Sequence, residues 1–260
     1  MRWSDLVAEL DRWQEAGEVA TLWWRDDDAV SPTERLHRLL SIASGVPISL
    51  AVIPAAVEHG FAEWLAEYRA AHNADIAVLQ HGWRHLSHSG AGKKSEFPAA
   101  RPSADVASDL SAGRTRLSEF FGTWALPVLV PPWNRFDEGF LLLLLSSGLT
   151  GISRALPRRG PRPAPGVIEG NVHIDLVAWK AGRRFIGEEA ALCGLVGHLR
   201  ARRRKVVNAE EPTGILTHHL LLDEETDVFL GQLIAISTTH PAARWLGAAE
   251  IFAPAPLVPP

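Results

Sequence analysis

The chain has 260 residues, 47% hydrophobic and 22% charged, which excludes a disordered polymer and leaves enough length for a sizeable core. A formal net charge of −4 argues against a general nucleic-acid binder, which needs a basic surface. No apolar run approaches the ~20 residues that span a bilayer, and the single cysteine, Cys193, permits neither an intramolecular disulfide nor a cysteine-based zinc site.

The chain opens on an amphipathic helix over residues 3–16, with Trp3, Leu6, Val7, Leu10 and Trp13 on one face and no signal-peptide layout. That layout predicts a cytoplasmic protein. Strand-like runs follow at 19–24, 48–53, 75–79, 126–130, 172–177 and 214–217. Helical stretches lie at 32–44, 55–72, 104–121, 136–146, 187–203 and 224–237. Strands alternating with helices of this length imply βα units and a mainly parallel sheet, and their number suits a barrel better than an open sheet. Residues 90–103 and 157–166 are turn-rich and read as long loops, too short to join independent domains, so residues 1–260 are expected to form one domain. Cys193 reads as a buried helical thiol and the basic run at 200–205 as a solvated last helical turn. The tail at 254–260 reads as irregular. Oligomeric state is left open.

Four segments carry chemistry, each directly after a predicted strand, where parallel α/β barrels gather their functional groups. Arg25-Asp26-Asp27-Asp28 places three carboxylates in a row, which suits either an acidic cap or one metal ligand beside one base. His81 and His85 are four apart, so a helical turn would bring both imidazoles to one side as zinc requires, and His88 extends the same face as an outer or substrate-facing residue. Val130-Pro131-Pro132-Trp133-Asn134-Arg135 offers a stiff wall with an exposed indole, or a rigid turn with a packing one. The strand at 214–217 ends in His218 and His219, a suitable place for a general acid. Of the ten tryptophans, Trp3, Trp13, Trp64 and Trp245 read as core, whereas Trp83, Trp133 and Trp179 are candidate groove-liners.

In this order the segments resemble the polysaccharide deacetylase family (the NodB-homology domain, carbohydrate esterase family 4), over residues 25–219. Asp27-Asp28-Ala29 is similar to the family's Asp-Asp-Gly motif, and His81-Gly82-Trp83-Arg84-His85 to its His-x-x-x-His motif. Val130-Pro131-Pro132-Trp133 resembles the groove-lining Arg-Pro-Pro-Tyr motif. Asp175 and Trp179 form a loose version of the fourth motif, and Leu216-Thr217-His218 is similar to the closing Leu-x-His. The resemblance implies an α/β fold of distorted (β/α)7-barrel type. It also implies Zn²⁺, Co²⁺ or Ni²⁺ on Asp28, His81 and His85, with Asp27 as base and His218 as acid. Pro132, Trp133, Arg135, Trp83 and Trp179 would face substrate.

The family's third-motif arginine is Val130 here, and Arg25 or Arg135 is the candidate replacement beside the base. The extra aspartate leaves Asp26 and Asp27 interchangeable at this stage. The implied activity is hydrolysis of a C–N bond in an acylated sugar or sugar conjugate. The alternatives are a related amidohydrolase on a small non-sugar amide or cyclic ureide, and a non-catalytic carbohydrate-binding module.

Overall fold

The computed structural model of the protein describes residues 1–90 and 92–253, so the proline-rich tail at 254–260 lies outside the described residues. In chain order the elements are α1 (Trp3–Glu15), β1 (Ala20–Ala29), α2 (Glu34–Ile42), β2 (Ile48–Val52), α3 (Phe61–His72) and β3 (Ile76–His81). Then come α4 (Ser103–Phe121), β4 (Ala125–Val130), α5 (Leu141–Ser146), β5 (Gly151–Ile152), β6 (Ile168–Glu169) and β7 (Ile174–Asp175). The remainder is β8 (Val177–Ala178), β9 (Arg184–Phe185), α6 (Glu188–Arg203), β10 (Thr213–Thr217), α7 (Glu224–Thr239), β11 (Ala243–Trp245) and α8 (Ala248–Ile251).

The principal sheet is parallel and runs β6-β5-β4-β3-β2-β1-β10-β7, with β11 added beside the first residues of β1. Residues 168–175, which carry β6 and β7, ladder onto β5 on one side and β10 on the other, so the sheet curls round into a distorted (β/α)7-type barrel. Strand β10 enters between β1 and β7, which sets the last βα unit directly beside the first.

The two-residue period of the strands separates two apolar layers. Leu22 and Trp24 of β1, Ile48 and Leu50 of β2, and Ile76 and Val78 of β3 pack outward against the helices. Trp23, Ala51, Leu79, Val128 and Leu216 fill the interior of the curl. Both buried indoles of β1 satisfy their N–H groups, Trp23 on Asn171 O at 2.9 Å and Trp24 on Thr217 Oγ1 at 2.9 Å. Side-chain oxygens cap two outer helices: Thr33 accepts from Leu36 N at α2, and Asp223 accepts from Thr226 N at α7.

Three sequence expectations change. β1 runs five residues further than the strand predicted at 19–24, because Arg25 and Asp26 pair with β10 and β2 and, past a bulge at Asp27 and Asp28, Ala29 pairs with Val52. Cys193 lies on α6, but on its exposed face. The basic run is a solvated turn only in part: Arg204 and Lys205 are exposed, but two of its arginines are engaged. Arg202 is buried and hydrogen-bonds Thr21 O, Thr21 Oγ1, Thr213 Oγ1 and Ala209 O, while Arg203 forks onto Glu9 at 2.7 and 3.2 Å.

That fork explains how α1 docks on α6. Val7 stays partly exposed, and the fully buried Glu9 takes a place in the contact with Arg203, Arg200 and Arg12 around it. Removing one member of such a buried cluster strands the others. Glu9→Ala should therefore cost about 2 kcal/mol of global stability, or release α1 alone, read as a lowered urea midpoint and faster amide exchange over residues 3–15.

Candidate functional site

The alternation of β1 settles the roles open among its acidic residues. Trp23, Arg25 and Asp27 share the interior face, and Leu22, Trp24 and Asp26 the helix-facing one. Asp26 is thus turned away from the barrel mouth. Thr217 Oγ1 donates to its Oδ1 at 2.6 Å, and the Nδ1–H of His219 donates to its Oδ2 at 2.6 Å. Beside this buried carboxylate His219 has a raised pKa, the attraction of Asp26 outweighing the burial that opposes it. Asp26 and His219 form a closed pair between β1 and the end of β10, outside the cleft.

Asp27 is paired with Arg25 from the same strand. Nε donates to Oδ1 at 2.8 Å and one terminal nitrogen to Oδ2 at 3.0 Å, a two-point fork between buried groups. The rest of the guanidinium is spent on Ser153 Oγ and O and on Asn134 Oδ1. Arg135, the other candidate for this position, does not reach Asp27 and donates to Lys94 O at 2.6 Å. Val130 contributes its carbonyl, which accepts from His81 Nδ1 at 2.9 Å.

Asp28 sits in the bulge near the end of β1 with φ +73°, a left-handed conformation that a non-glycine residue adopts only under constraint. Its Oδ1 lies 3.2 Å from His81 Nε2 and 3.4 Å from His85 Nε2, and is buried without a hydrogen-bond partner. The three ligand atoms lie within 4.8 Å of one another. His81 Nδ1 is committed to Val130 O, which leaves Nε2, the atom facing Asp28, as the one available to a metal. Burial raises the Asp28 carboxyl, but His81, His218 and His85 together take it well below the usual carboxylate range. Burial and the neighbouring His81 lower His85, which favours its neutral, ligating form. One carboxylate and two imidazoles fit a divalent ion of the zinc type.

The His81–His85 segment is not a helical turn. His81 ends β3, Gly82 has φ +59° and His85 φ +57°, and the N–H groups of Trp83 and Arg84 donate to the carboxylate of Glu96 at 3.2 and 2.8 Å. The Glu96 carboxylate fills the space left by the missing side chain of Gly82: a Cβ there would collide with Oε2 and sit 2.7 Å from Pro132 Cδ. Burial raises the Glu96 carboxyl above its ordinary value against the two N–H donors that lower it. Sequence reasoning missed Glu96, Asn134 and Ser153. No spacing rule connects a glutamate in a turn-rich loop to a histidine eleven residues earlier.

The cleft holding these groups has a volume of about 730 Å³. Trp133 forms one wall, its ring 4.4 Å from that of His85. Trp179 forms the opposite one, edge-on to His218 at 4.8 Å. Asp175 lines the cleft as well, accepting from Trp179 Nε1 at 2.7 Å and Val177 N at 3.0 Å; burial raises its pKa against these donors. Arg135 and His218 also face this space.

Three expected cleft residues do not. Pro132 is buried behind Gly82. The turn at Gly82 sends Trp83 into a separate shallow hollow with Ala55, Ala56 and Arg116. His88 is exposed, its backbone N–H tied to Ser95 O, because the segment leaves the strand as loop and carries it off the His81–His85 side.

A second cluster, His173, His198 and Glu211, has ligand-like spacing but the wrong hydrogen positions. Gly214 N–H donates to His173 Nδ1 at 2.9 Å, so the neutral ring carries its proton on Nε2 and presents a hydrogen, not a lone pair, to Glu211. Its rings stack at 3.6 Å and both histidines have lowered pKa values. Burial, His173 and Arg202 push His198 down to about 2.

No family model matches the chain, and no curated protein matches it by sequence. Solved structures do match. A putative polysaccharide deacetylase from Mycobacterium smegmatis aligns at TM-score 0.64 and 18% identity, covering 91% of this chain and 90% of that one. The Bc1960 peptidoglycan N-acetylglucosamine deacetylase aligns at TM-score 0.58 and 14% identity, over 94% and 97%. A family 4 acetyl xylan esterase from Clostridium thermocellum, in complex with a cobalt ion, aligns at 0.55 and 12%, over 89% and 90%. The chain has the NodB-like fold of the polysaccharide deacetylases.

Two outcomes are expected from these contacts. Glu96→Ala should weaken divalent-metal binding about 10- to 100-fold by calorimetry, as removal of a group that orients ligands does elsewhere. His198 stays neutral in the folded chain down to about pH 2 but protonates near ~6.5 once unfolded. The unfolded state therefore binds more protons across that window, and stability falls as pH drops below ~6.5. In His198→Phe the urea midpoint should change less between pH 7.5 and 5 than in wild type.

Proposed function

We propose that the protein is a metal-dependent hydrolase, built as one deacetylase-like domain over residues 1–260, that removes an acetyl or other acyl group from an N-acylated sugar. The observation that carries this reading is the convergence, in one cleft, of a forked carboxylate (Asp27), a metal-fitting triad (Asp28, His81 and His85) and a second histidine, His218. The NodB-like fold shared with deacetylases supports it. The walls Trp133 and Trp179 support a sugar substrate, since indole faces pack on the C–H face of pyranose rings. Arg25 supplies a cation where Val130 replaces the family's arginine, which removes the one feature favouring a non-catalytic binding module.

In this reading Asp28, His81 and His85 hold the ion, with Zn²⁺ the first choice and Co²⁺ or Ni²⁺ substitutes. When bound, the ion supplies Lewis acidity, polarising the acyl carbonyl and making water easier to deprotonate. Asp27 accepts the proton of the attacking water, and the Arg25 fork holds its carboxylate in one orientation toward the cleft. His218 delivers a proton to the amine nitrogen as the C–N bond breaks, so that the amine leaves neutral. The sum is amide plus water giving carboxylic acid plus amine. Trp179 packs edge-on against His218, which limits the ring to orientations facing the cleft. No helix among the described residues is long and apolar enough to cross a membrane.

Acetate release from N-acetylated glucosamine derivatives tests the reading. Chelation should abolish it and Zn²⁺ or Co²⁺ restore it, and activity of the fully stripped protein would overturn the metal-dependent mechanism. Asp27→Asn and His218→Gln should each lower kcat by about 10²- to 10⁴-fold with little change in metal binding. Arg25→Lys keeps the charge but loses the fork and should fall between these variants and wild type.

A further inference from the structure

The cleft gathers three cations on a molecule that is acidic overall. The chain carries a formal net charge of −4, yet Lys94, Arg135 and Arg183 all line this one space. None of the three makes an ion pair among the described residues, whereas Arg25, Arg101, Arg154 and Arg203 are each engaged with a carboxylate. The acidic groups of the cleft are accounted for without them. Asp27 is neutralised by Arg25. Asp28 and Asp175 together match the charge of one divalent ion. With such an ion bound, Lys94, Arg135 and Arg183 would be left without a counter-charge.

Their placement has a pattern. On one bank Lys94 Nζ lies 5.8 Å from the centre of the Trp133 ring, and the Arg135 guanidinium is anchored on Lys94 O. On the other bank Trp179 and Arg183 open and close the turn between β8 and β9, which Arg183 N and Ala181 N brace on Ala178 O at 3.1 and 3.0 Å. Arg183 adopts φ +54° to finish this tight turn. Each bank thus pairs a flat apolar ring with a cation. An indole recognises a sugar ring, and an unpaired ammonium or guanidinium beside it recognises an oxyanion.

We infer that the substrate is an N-acylated amino sugar bearing an anionic group, a carboxylate or a phosphate ester, held across the cleft by Lys94 and Arg135 on one side and Arg183 on the other. The inference rests on the deacetylase reading above for the bond cleaved, and on the cationic banks alone for the anion. The anion would contribute chiefly to capture and placement, because Lys94 and Arg183 are exposed and Arg135 half-buried at the banks, while the reacting groups lie deeper.

The test compares the zinc-loaded full chain on N-acetylglucosamine, N-acetylglucosamine 6-phosphate and N-acetylmuramic acid, which present no anion, a phosphate and a carboxylate. At least one anionic compound should show a kcat/KM about tenfold or more above the neutral sugar, mostly through KM, with the advantage shrinking as salt rises. A preference between the two identifies the anion. Arg183→Glu and Lys94→Glu should each reduce the anionic-to-neutral ratio about tenfold. A neutral sugar turned over as well as both anionic ones, or a ratio unchanged in both variants, overturns the inference. If no compound releases acetate, the deacetylase reading fails and calorimetry decides the anion separately. Binding of the two anionic sugars that weakens in Arg183→Glu sustains it, and no binding, or binding equal to wild type, overturns it.

Discussion

Three consecutive carboxylates at the end of one buried strand repel one another, and the site is organised around giving each its own partner. The pleat of β1 sends Asp26 to the helix side, where Thr217 and His219 saturate it. Asp27 turns inward onto Arg25, two residues back on the same face. Asp28 leaves the pleat through a left-handed turn and meets His81 and His85. Without these separate destinations the triplet would have to neutralise by taking up protons. With them, one strand delivers a structural anchor, an arginine-forked carboxylate and a member of the metal-fitting triad within three residues.

The histidine ligands depend on a parallel arrangement of backbone groups. Gly82 has no side chain, so the Glu96 carboxylate occupies that space and collects the N–H groups of Trp83 and Arg84. Those N–H groups are thereby unavailable to a helix, and His85 swings back toward Asp28 through a positive φ. Pro132 closes the other side of Gly82, linking the end of β4 to the ligand loop. Behind the mouth, the outer helices are held by apolar packing and by ion pairs such as Glu9 with Arg203, remote from the cleft.

How much of this was legible depended on periodicity. The alternation of apolar runs located β2, β3, β4 and β10 to within a residue or two. The two-residue strands β5, β6, β8 and β9 were invisible, because so short a pairing carries no pattern of its own. The pairing of Asp27 rather than Asp26 with the interior was in principle readable, since Leu22 and Trp24 continue the helix-facing set that Asp26 joins. It was obscured by ending the strand at Trp24. The helical placement of His81 and His85 followed from their spacing of four, which an irregular loop braced by Glu96 satisfies equally well. Trp83 and Pro132 were assigned to the cleft by adjacency in sequence, and the reversal of direction at Gly82 separates them from it.

The origin of the Arg25–Asp27 pair on a single strand has a consequence for how the scaffold tolerates change. Where a base and its cation come from different strands, their separation depends on every loop and packing contact between those strands. Here it is a property of the covalent pleat, two residues apart on one ladder clamped by β2 and β10. The segment carrying Arg183 is therefore free to vary in length and charge without detuning that pair, whereas those carrying Lys94 and Arg135 also hold Glu96 and Asn134, which brace the site. Such a molecule can exchange one clientele of substrates for another by rewriting its rim, while the reacting core is inherited intact.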